Sequence, residues 1–201
     1  FDNLDSALET IDFNKVGGFI FEPGGSGTGF VRFPPSELVK KISQRIREKH
    51  GMIICNEVTT GIGRTGKFFG FQHYDIEPDL ISMGKGLGDG YPVSAVVLKR
   101  EVARKLEEED YTYIQSHQND PLGCCVVNAV LSTLSEDRLV QRSQEMGAYF
   151  LGGLRNLVNR YGLVNSARGR GLLLALEFAP NEQMTASLMQ KTLQTRGYLV
   201  G

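Results

Sequence analysis

The sequence predicts an α/β fold built on a mainly parallel sheet. Short apolar runs rich in β-forming residues, such as Val16–Glu22 and Met52–Cys55, alternate with segments of helical periodicity. These runs end in polar residues and pass into glycine-rich turns, which is how parallel strands present functional groups at their carboxyl ends. The β-α-β order therefore predicts functional sites along one edge of the sheet.

Helix start and stop signals define the remaining elements. The helix after Pro35 keeps Val39, Ile42 and Ile46 at helical spacing, and Gly51 is its expected stop. Pro121 opens a helix that is apolar almost all round, which predicts burial. The predicted strands are 16–22, 52–58, 79–83, 94–98 and 172–178, the later predicted helices are 101–109, 121–134, 138–160 and 185–196, and 111–120 is a predicted loop.

The predicted helix at 138–160 is amphipathic. Its apolar residues Met146, Phe150, Leu154 and Val158 recur four residues apart, so they share one face. We expect this face to pack inward.

Composition narrows the function classes. The chain has 201 residues, 41% of them hydrophobic, and a formal net charge of -1. It is long enough to bury a sizeable core as one or two domains. It has no block of like charges, so neither a nucleic acid nor a membrane is an expected partner. No apolar run approaches the length of a membrane-spanning helix.

The cysteines and histidines point to neither disulfides nor metal. Cys55, Cys124 and Cys125 form neither a C-x-x-C pair nor a disulfide framework, which favours a reducing, cytoplasmic location. The 3 histidines are scattered without metal-ligand spacing. We therefore predict no metal site.

Residues able to do chemistry follow two of the apolar runs. Asn56 and Glu57 come after Met52–Cys55, and Gly84 and Lys85 come after the run that ends at Met83. A lysine where a buried strand meets a glycine-rich loop can be partly desolvated, which makes its free amine a usable nucleophile. The alternative is a solvated surface lysine beside ordinary turn glycines.

A competing motif lies in the same window. Gly61–Lys67 reads GIGRTGK and fits the G-x-x-x-x-G-K part of a phosphate-binding loop. The next residue is Phe68, where that loop needs a Ser or Thr hydroxyl to hold magnesium. The match fails at its metal ligand, and nucleotide hydrolysis is disfavoured.

The same window resembles a known family. Asn56–Lys67 reads N-E-V-T-T-G-I-G-R-T-G-K, and Pro78–Gly90 reads P-D-L-I-S-M-G-K-G-L-G-D-G. These strings resemble the class III aminotransferases, whose pattern is D-E-V-x-T-G-x-G-R-T-G followed by P-D-x-x-x-x-x-K-G-x-G-x-G. The resemblance continues at Phe21–Pro23, Asn119–Leu122 and Arg168–Leu172, so it covers nearly the whole chain.

The resemblance implies a fold, a cofactor and a reaction. The fold is that of fold-type-I transferases, with part of the cofactor-binding large domain at 1–135 and part of a small α+β C-terminal domain at 136–201. The cofactor is pyridoxal 5'-phosphate, and the reaction moves an amino group from an amino acid or ω-amine donor to a 2-oxo acid. Class III enzymes are homodimers and much longer than this chain, so we expect a fragment.

The resemblance also assigns roles to single residues. Lys85 is the Schiff-base residue and carries a proton between substrate and cofactor. Val58 packs on the cofactor ring, and Thr59 stands where many members have a glutamine near the ring oxygen. Ser116 stands where the family has a threonine that reaches the cofactor phosphate of the neighbouring subunit; its alternative role is a capping or turn serine.

Glu22 resembles a family glutamate near the site, and an ion pair with Arg64 is its alternative role. Arg168 and Arg170 could meet substrate carboxylates, but arginines before a strand are more often surface or domain-interface residues. We leave both arginines out of the predicted site.

Asn56 departs from the family pattern. The family has an aspartate there, whose charge keeps the pyridine nitrogen of the cofactor protonated. Asparagine has the same shape and can still form a hydrogen bond, but it is neutral. We expect slower transamination unless another group compensates. Two alternatives stay open: a family aminomutase, and a truncated or degenerate fragment without catalytic activity.

Overall fold

A computed structural model describes residues 3–25, 31–179 and 185–200 of the chain. Their strands form a four-stranded sheet in the order β1-β2-β3-β4 and a two-stranded sheet of β5 and β6. The strand bounds are β1 Gly18–Phe21, β2 Met52–Asn56, β3 Leu80–Met83, β4 Ala95–Leu98, β5 Val164–Arg170 and β6 Leu173–Phe178. The larger sheet contains most of the candidate site residues at its edge.

The larger sheet is mostly parallel, as predicted. β1 pairs with β2 and β2 pairs with β3 in parallel, whereas β3 pairs with β4 antiparallel. A parallel crossover takes a dozen or more residues and usually a helix. The segment between Met83 and Ala95 contains only the short 3-10 turn Lys85–Leu87. The chain therefore returns directly, and β4 runs against its neighbour.

The helices begin and end close to their predicted positions. Their bounds are α1 Leu4–Glu9, α2 Ser36–Glu48, α3 Arg100–Glu108, α4 Pro121–Glu136, α5 Leu139–Arg160 and α6 Ala186–Thr195. The predictions did not include α1 or β5. β5 reads VNSARGR, whose polar composition lacks the apolar run of a strand. No helix in the described part of the chain is long and apolar enough to cross a membrane.

The core lies between α2 and one face of the larger sheet. Val39 and Ile46 of α2 are fully buried and cluster with Ile53 and Cys55 of β2. These residues follow the 3.6-residue period of the helix and the two-residue period of the strand. Burial also raises the pKa of the Cys55 thiol. α2 thereby covers one face of β2 and holds this strand in place.

The end of α2 differs from the prediction at Gly51. The left-handed residue that turns the chain is His50, with φ 56°, and the last helical residue is Glu48. Gly51 instead donates its N–H to the Ile46 carbonyl at 2.9 Å. A Cβ at Gly51 would lie 3.1 Å from the Gly17 carbonyl oxygen. Glycine is therefore needed here for close packing rather than to stop the helix.

The predicted burial of α4 is wrong for the described chain. Gly123 is its one buried residue, and Leu122 is 59% exposed. A helix that is apolar all round needs cover on every side, but here its contacts are mainly with α5 and the turn at Lys85–Leu87. Much of its apolar surface is therefore left uncovered.

The inward face of α5 matches the predicted one only in part, because Leu154 and Val158 are half-buried. Met146 and Phe150 are exposed, and the buried residues are Ser143 and Gly147. A Cβ at Gly147 would overlap the Gly171 backbone. Small residues let α5 approach the turn between β5 and β6 closely, and this contact outweighs the apolar periodicity.

Asp79 ties the amino ends of the strands together. Its buried carboxylate accepts hydrogen bonds from Arg47 Nη1 at 2.6 Å and from the Ile53 N–H at 2.7 Å. Lys99, directly after β4, lies 3.4 Å from the other carboxylate oxygen. Burial alone raises the pKa of this carboxyl. The hydrogen bonds from Arg47 and Ile53, with the charge of Lys99, outweigh burial and hold the pKa below its ordinary value.

Glu57 ties down the loop that follows β2. Its side chain is 1% exposed and accepts hydrogen bonds from the Gly70 N–H at 2.9 Å and the Phe71 N–H at 2.8 Å. The Thr60 hydroxyl donates a third at 2.6 Å. Burial raises the pKa of Glu57, although the three hydrogen bonds oppose this shift. A buried acid held by three donors makes the loop part of the rigid core.

We predict that Asp79→Asn lowers the free energy of unfolding by about 2 kcal/mol at neutral pH, because the neutral amide removes the charge that pairs with Arg47 and its N–H₂ group must then face the Lys99 ammonium. Denaturation followed by far-ultraviolet circular dichroism measures this loss. Folding lowers the pKa of Asp79, so its stabilisation is complete above the ordinary value of 3.8 and is lost as the pH falls through the folded-state pKa. The difference between the two proteins should shrink accordingly in acid.

The matched control is Asp75→Asn, which changes a carboxylate that is 91% exposed and pairs with Lys40. This control should unfold like the wild type. Equal losses in the two variants would contradict the role assigned to Asp79.

We also predict that Glu57→Gln destabilises the chain by about 2–3 kcal/mol, because the Gln amide nitrogen cannot accept the hydrogen bonds that the second carboxylate oxygen accepts. Urea denaturation of this variant, beside the exposed control Glu108→Gln, gives the comparison. Unfolding midpoints that coincide for the two variants would show that Glu57 does not anchor the loop.

Candidate active site

The candidate site lies where three parallel strands end at one edge of the sheet. β1 ends at Phe21, β2 at Asn56 and β3 at Met83. The register pairs Phe21 with Cys55 and Asn56 with Ser82, so the three strands end almost level. The predicted site residues on these strand ends therefore come together; these are Glu22, Asn56, Val58, Thr59 and Lys85.

Lys85 begins the 3-10 turn directly after β3. Its φ is 44°, in the left-handed region that non-glycine residues seldom adopt. The turn is closed by the Leu87 N–H on the Gly84 carbonyl and by the Gly88 N–H on the Lys85 carbonyl. Leu87 is 3% exposed and packs the turn onto the protein. This unusual backbone, typical of functional sites, directs Lys85 out of the strand end.

The Lys85 amine reaches across to the end of β2. Its Nζ donates a hydrogen bond to Thr59 Oγ1 at 3.1 Å. The side chain is exposed, so the partial desolvation expected from the sequence is not present in this chain. An open depression of about 440 Å³ lies beside it, between Arg64 and the segment 86–93. The amine is therefore accessible to a small molecule.

Val58 forms an apolar wall next to Lys85. A Cβ placed on Gly84 would lie 3.7 Å from Val58 Cγ1, an ordinary van der Waals distance. Val58 is half-buried and follows the buried anchor Glu57 by one residue. A flat ring held by Lys85 would find an apolar contact surface at this position.

Asn56 and Glu22 form a hydrogen-bonded pair across the ends of β2 and β1. Asn56 Nδ2 donates to Glu22 Oε1 at 3.1 Å, and Asn56 Oδ1 accepts the Val58 N–H at 3.2 Å. Arg64, the ion-pair partner considered for Glu22, has an exposed side chain. The structure shows Glu22 bound to Asn56 rather than to Arg64.

Ser116 is not part of this group. It lies in the predicted loop between α3 and α4, where residues 111–119 are all exposed. Within the described residues, no hydrogen bond joins Ser116 to the other candidates. Ile114, two residues earlier, is 84% exposed.

The glycine-rich segment GIGRTGK has a structural role in this fold. Gly63 and Gly66 both have φ of 80°, and a Cβ at Gly66 would lie 3.0 Å from Gln144 of α5. The Arg64 carbonyl accepts hydrogen bonds from Ser143 Oγ and from the Leu172 N–H. The segment joins the sheet to α5 and leads into the 3-10 turn Gly70–His73 rather than into the helix of a phosphate-binding loop.

The two arginines left out of the predicted site make contacts within the fold. Arg168 pairs with Glu177 on the neighbouring strand and donates to the Val31 carbonyl. The Arg170 guanidinium stacks on the rings of Phe33 and Tyr74. These contacts give both residues a packing role within the fold.

Sequence reasoning missed the role of Glu57. The sequence marks Glu57 as a polar residue at the end of an apolar run, but it indicates no partner for the carboxylate. The signal was an acid between the buried residues Cys55 and Thr60, because a buried acid in such a segment needs donors. Those donors, Gly70 and Phe71, lie 13 and 14 residues further along the chain, beyond local pattern reading.

The chain matches the family model "Aminotransferase class-III" over residues 3–201. It is 32% identical over 182 residues to mitochondrial alanine–glyoxylate aminotransferase 2 of Homo sapiens, covering 90% of this chain and 35% of that protein. It is 32% identical over 200 residues to acetylornithine aminotransferase of Methanocaldococcus jannaschii, covering 100% of this chain and 48% of that protein. The chain thus spans half or less of the length of these relatives.

Solved structures give the same picture of the fold. A Bacillus anthracis aminotransferase superimposes with a TM-score of 0.88 at 28% identity, covering 100% of this chain and 47% of that one. Ornithine aminotransferase from Toxoplasma gondii also gives 0.88, at 29% identity and with the same coverages, and is described with partial occupancy of PLP at its active site. The fold is therefore that of PLP-dependent transaminases, and the chain belongs to the class III aminotransferase family.

Proposed function

We propose that this chain provides part of the active site of a pyridoxal-phosphate-dependent aminotransferase. The reaction moves an amino group from an amino acid or ω-amine to a 2-oxo acid. The observation that carries the proposal is the position of Lys85. This residue follows the end of β3, and its Nζ lies 3.1 Å from Oγ1 of Thr59, which follows the end of β2. Family membership supports the same reaction, since the relatives are named aminotransferases.

The residues at the strand ends fit pyridoxal phosphate. Lys85 offers an accessible primary amine for the cofactor aldehyde, and Val58 offers an apolar surface for its ring. Asn56 offers a carbonyl oxygen to the ring nitrogen, and the Thr59 hydroxyl lies close to Lys85. When bound, the cofactor supplies an electron sink for the substrate carbon that carries the amino group.

Each of these side chains has a defined task. Lys85 Nζ would hold the cofactor through its aldehyde and, once released, would take the proton from the substrate carbon. The Thr59 hydroxyl orients that amine by accepting its hydrogen bond. Glu57 keeps Val58 and Thr59 in place through the loop that it anchors. Positioning of this kind lowers the entropic cost of reaching the transition state.

We further propose that the complete protein is a cytoplasmic homodimer with two domains, divided in this chain at 1–135 and 136–201. The exposure of Ser116 and Ile114 supports an arrangement in which their loop lies against a second subunit. There the Ser116 hydroxyl would donate to the cofactor phosphate of that subunit. The uncovered apolar surface of α4, including Leu122, supports cover from outside this chain.

The second candidate is a binding or assembly role without catalysis. Two observations favour it: Asn56 replaces the family aspartate, and the chain spans half or less of its relatives. A third candidate is an aminomutase with the same fold. Amino transfer that depends on an added 2-oxo acid separates the transferase from both.

Incubation of the chain with pyridoxal phosphate, followed by borohydride reduction and mass spectrometry, tests the proposal. We expect one pyridoxyl group per chain, located on Lys85, because among the residues that the structure describes this is the amine at the strand ends beside Val58 and Thr59. Lys85→Arg should abolish the label while preserving the positive charge.

Lys67→Arg serves as the control, because Lys67 is an exposed lysine whose amine donates to the Gln72 carbonyl and is not among the candidate site residues. It should leave the label at Lys85 unchanged. Absence of label, or label spread over the surface lysines, would mean that this chain does not contain a working cofactor site.

A further inference from the structure

The orientation of the Asn56 side-chain amide is fixed by its two neighbours. Its N–H₂ group faces Glu22 Oε1 at 3.1 Å, and its oxygen faces the Val58 N–H at 3.2 Å. Rotating the amide by half a turn would place the oxygen against a carboxylate and the N–H₂ against another N–H. Both of those contacts are repulsive, so only one orientation satisfies the site.

Asn56 therefore presents a hydrogen-bond donor to the Glu22 carboxylate. A carboxylate is an acceptor, and the Asn56 N–H₂ group is a donor that matches it. An aspartate at this position, as in the family pattern, would bring a carboxylate oxygen to within about 3 Å of the Glu22 carboxylate. Two carboxylates so close share a proton instead of carrying two charges. The class III pattern has an acid at both positions, whereas in this chain Asn56 and Glu22 meet as donor and acceptor.

We infer that Glu22 is a positioning residue that supplies, through Asn56, the negative charge that the class III pattern places at position 56. The inference rests on the proposed function, and the group that this charge serves is a protonated pyridine nitrogen. Asn56 Oδ1 accepts one hydrogen bond from Val58 and keeps a second lone pair. The Glu22 charge polarises the amide so that this oxygen becomes a stronger acceptor.

The surroundings of Glu22 support this role. The residue directly follows β1 and is half-buried, so solvent screens its charge only in part. A Cβ at Gly25 would lie 2.9 Å from Glu22 Oε2, so the absence of a side chain at Gly25 makes room for the carboxylate. The acid is thereby held between the Asn56 amide and the turn at Gly25.

A cofactor-free double-mutant cycle tests the pair. The variants are Asn56→Asp, Glu22→Gln and the double variant, each compared with the wild type by thermal unfolding at slightly alkaline pH. We expect Asn56→Asp to lower the midpoint by about 2–4 °C, because it places two charges together. Glu22→Gln in that background should restore most of the loss. Shifts that simply add would overturn the pairing of Glu22 with Asn56.

A cofactor-bound measurement tests the consequence. The chain is loaded with ¹⁵N-labelled pyridoxal phosphate, and the nitrogen chemical shift reports protonation of the ring. Wild type should show a protonated ring nitrogen, and Glu22→Gln should move the shift toward the unprotonated position. The double variant carries a charge at position 56, so its ring-nitrogen chemical shift should return to the protonated position. Glu108→Gln removes an exposed charge elsewhere and should change nothing.

The two measurements separate the failure of this inference from that of the proposed function. A ring nitrogen shift that is the same in wild type and Glu22→Gln overturns the inference while the cofactor site stands. If the chain takes up no pyridoxal phosphate, the proposed function is contradicted, and the Glu22–Asn56 pair has no ring nitrogen to act on. In that case the cofactor-free cycle still decides whether Glu22 and Asn56 are coupled.

Discussion

The buried carboxylate of Glu57 holds the site together. It joins the end of β2 to backbone N–H groups 13 and 14 residues further along, and it is almost completely shielded from water. A buried acid costs free energy unless donors surround it, and here three donors do. If the loop moved, the Glu57 carboxylate would either be exposed to water or stay buried without its hydrogen-bond donors. Val58 and Thr59 therefore have fixed positions next to Lys85, where they can contact a molecule bound to its amine.

Asp79 provides the corresponding constraint at the other end of the strands. It connects the start of β3 to the Ile53 N–H of β2, to Arg47 of α2 and to Lys99 after β4. With both ends of the strands tied, the parallel edge is rigid enough to set distances between side chains from different strands. The Lys85–Thr59 and Asn56–Glu22 hydrogen bonds are two such distances. Sites placed on a rigid sheet edge in this way are preorganised for binding.

The sequence predicts the parallel strands from local patterns, and it places Asn56 and Lys85 at their ends for the same reason, whereas Glu22, Val58 and Thr59 are site residues only through the resemblance to class III aminotransferases. Apolar runs mark β1, β2 and β3, and parallel strands bring the residues after them to one edge. The outcome was different where a long-range contact decides. β5 is polar and becomes a strand only by pairing with β6, while α5 turns the small residues Ser143 and Gly147 inward to fit a neighbouring turn. α4 is apolar on all sides, and no local pattern states what covers it.

The most direct test of the account is a crystal structure of this chain grown with pyridoxal phosphate. We predict electron density continuous from Lys85 Nζ to the cofactor, with the ring beside Val58 and its nitrogen within hydrogen-bond distance of Asn56 Oδ1. Glu22 should keep its hydrogen bond to Asn56 in that structure. Cofactor bound to another lysine, or a ring whose nitrogen points away from Asn56, would contradict the assignment of this strand edge as the active site.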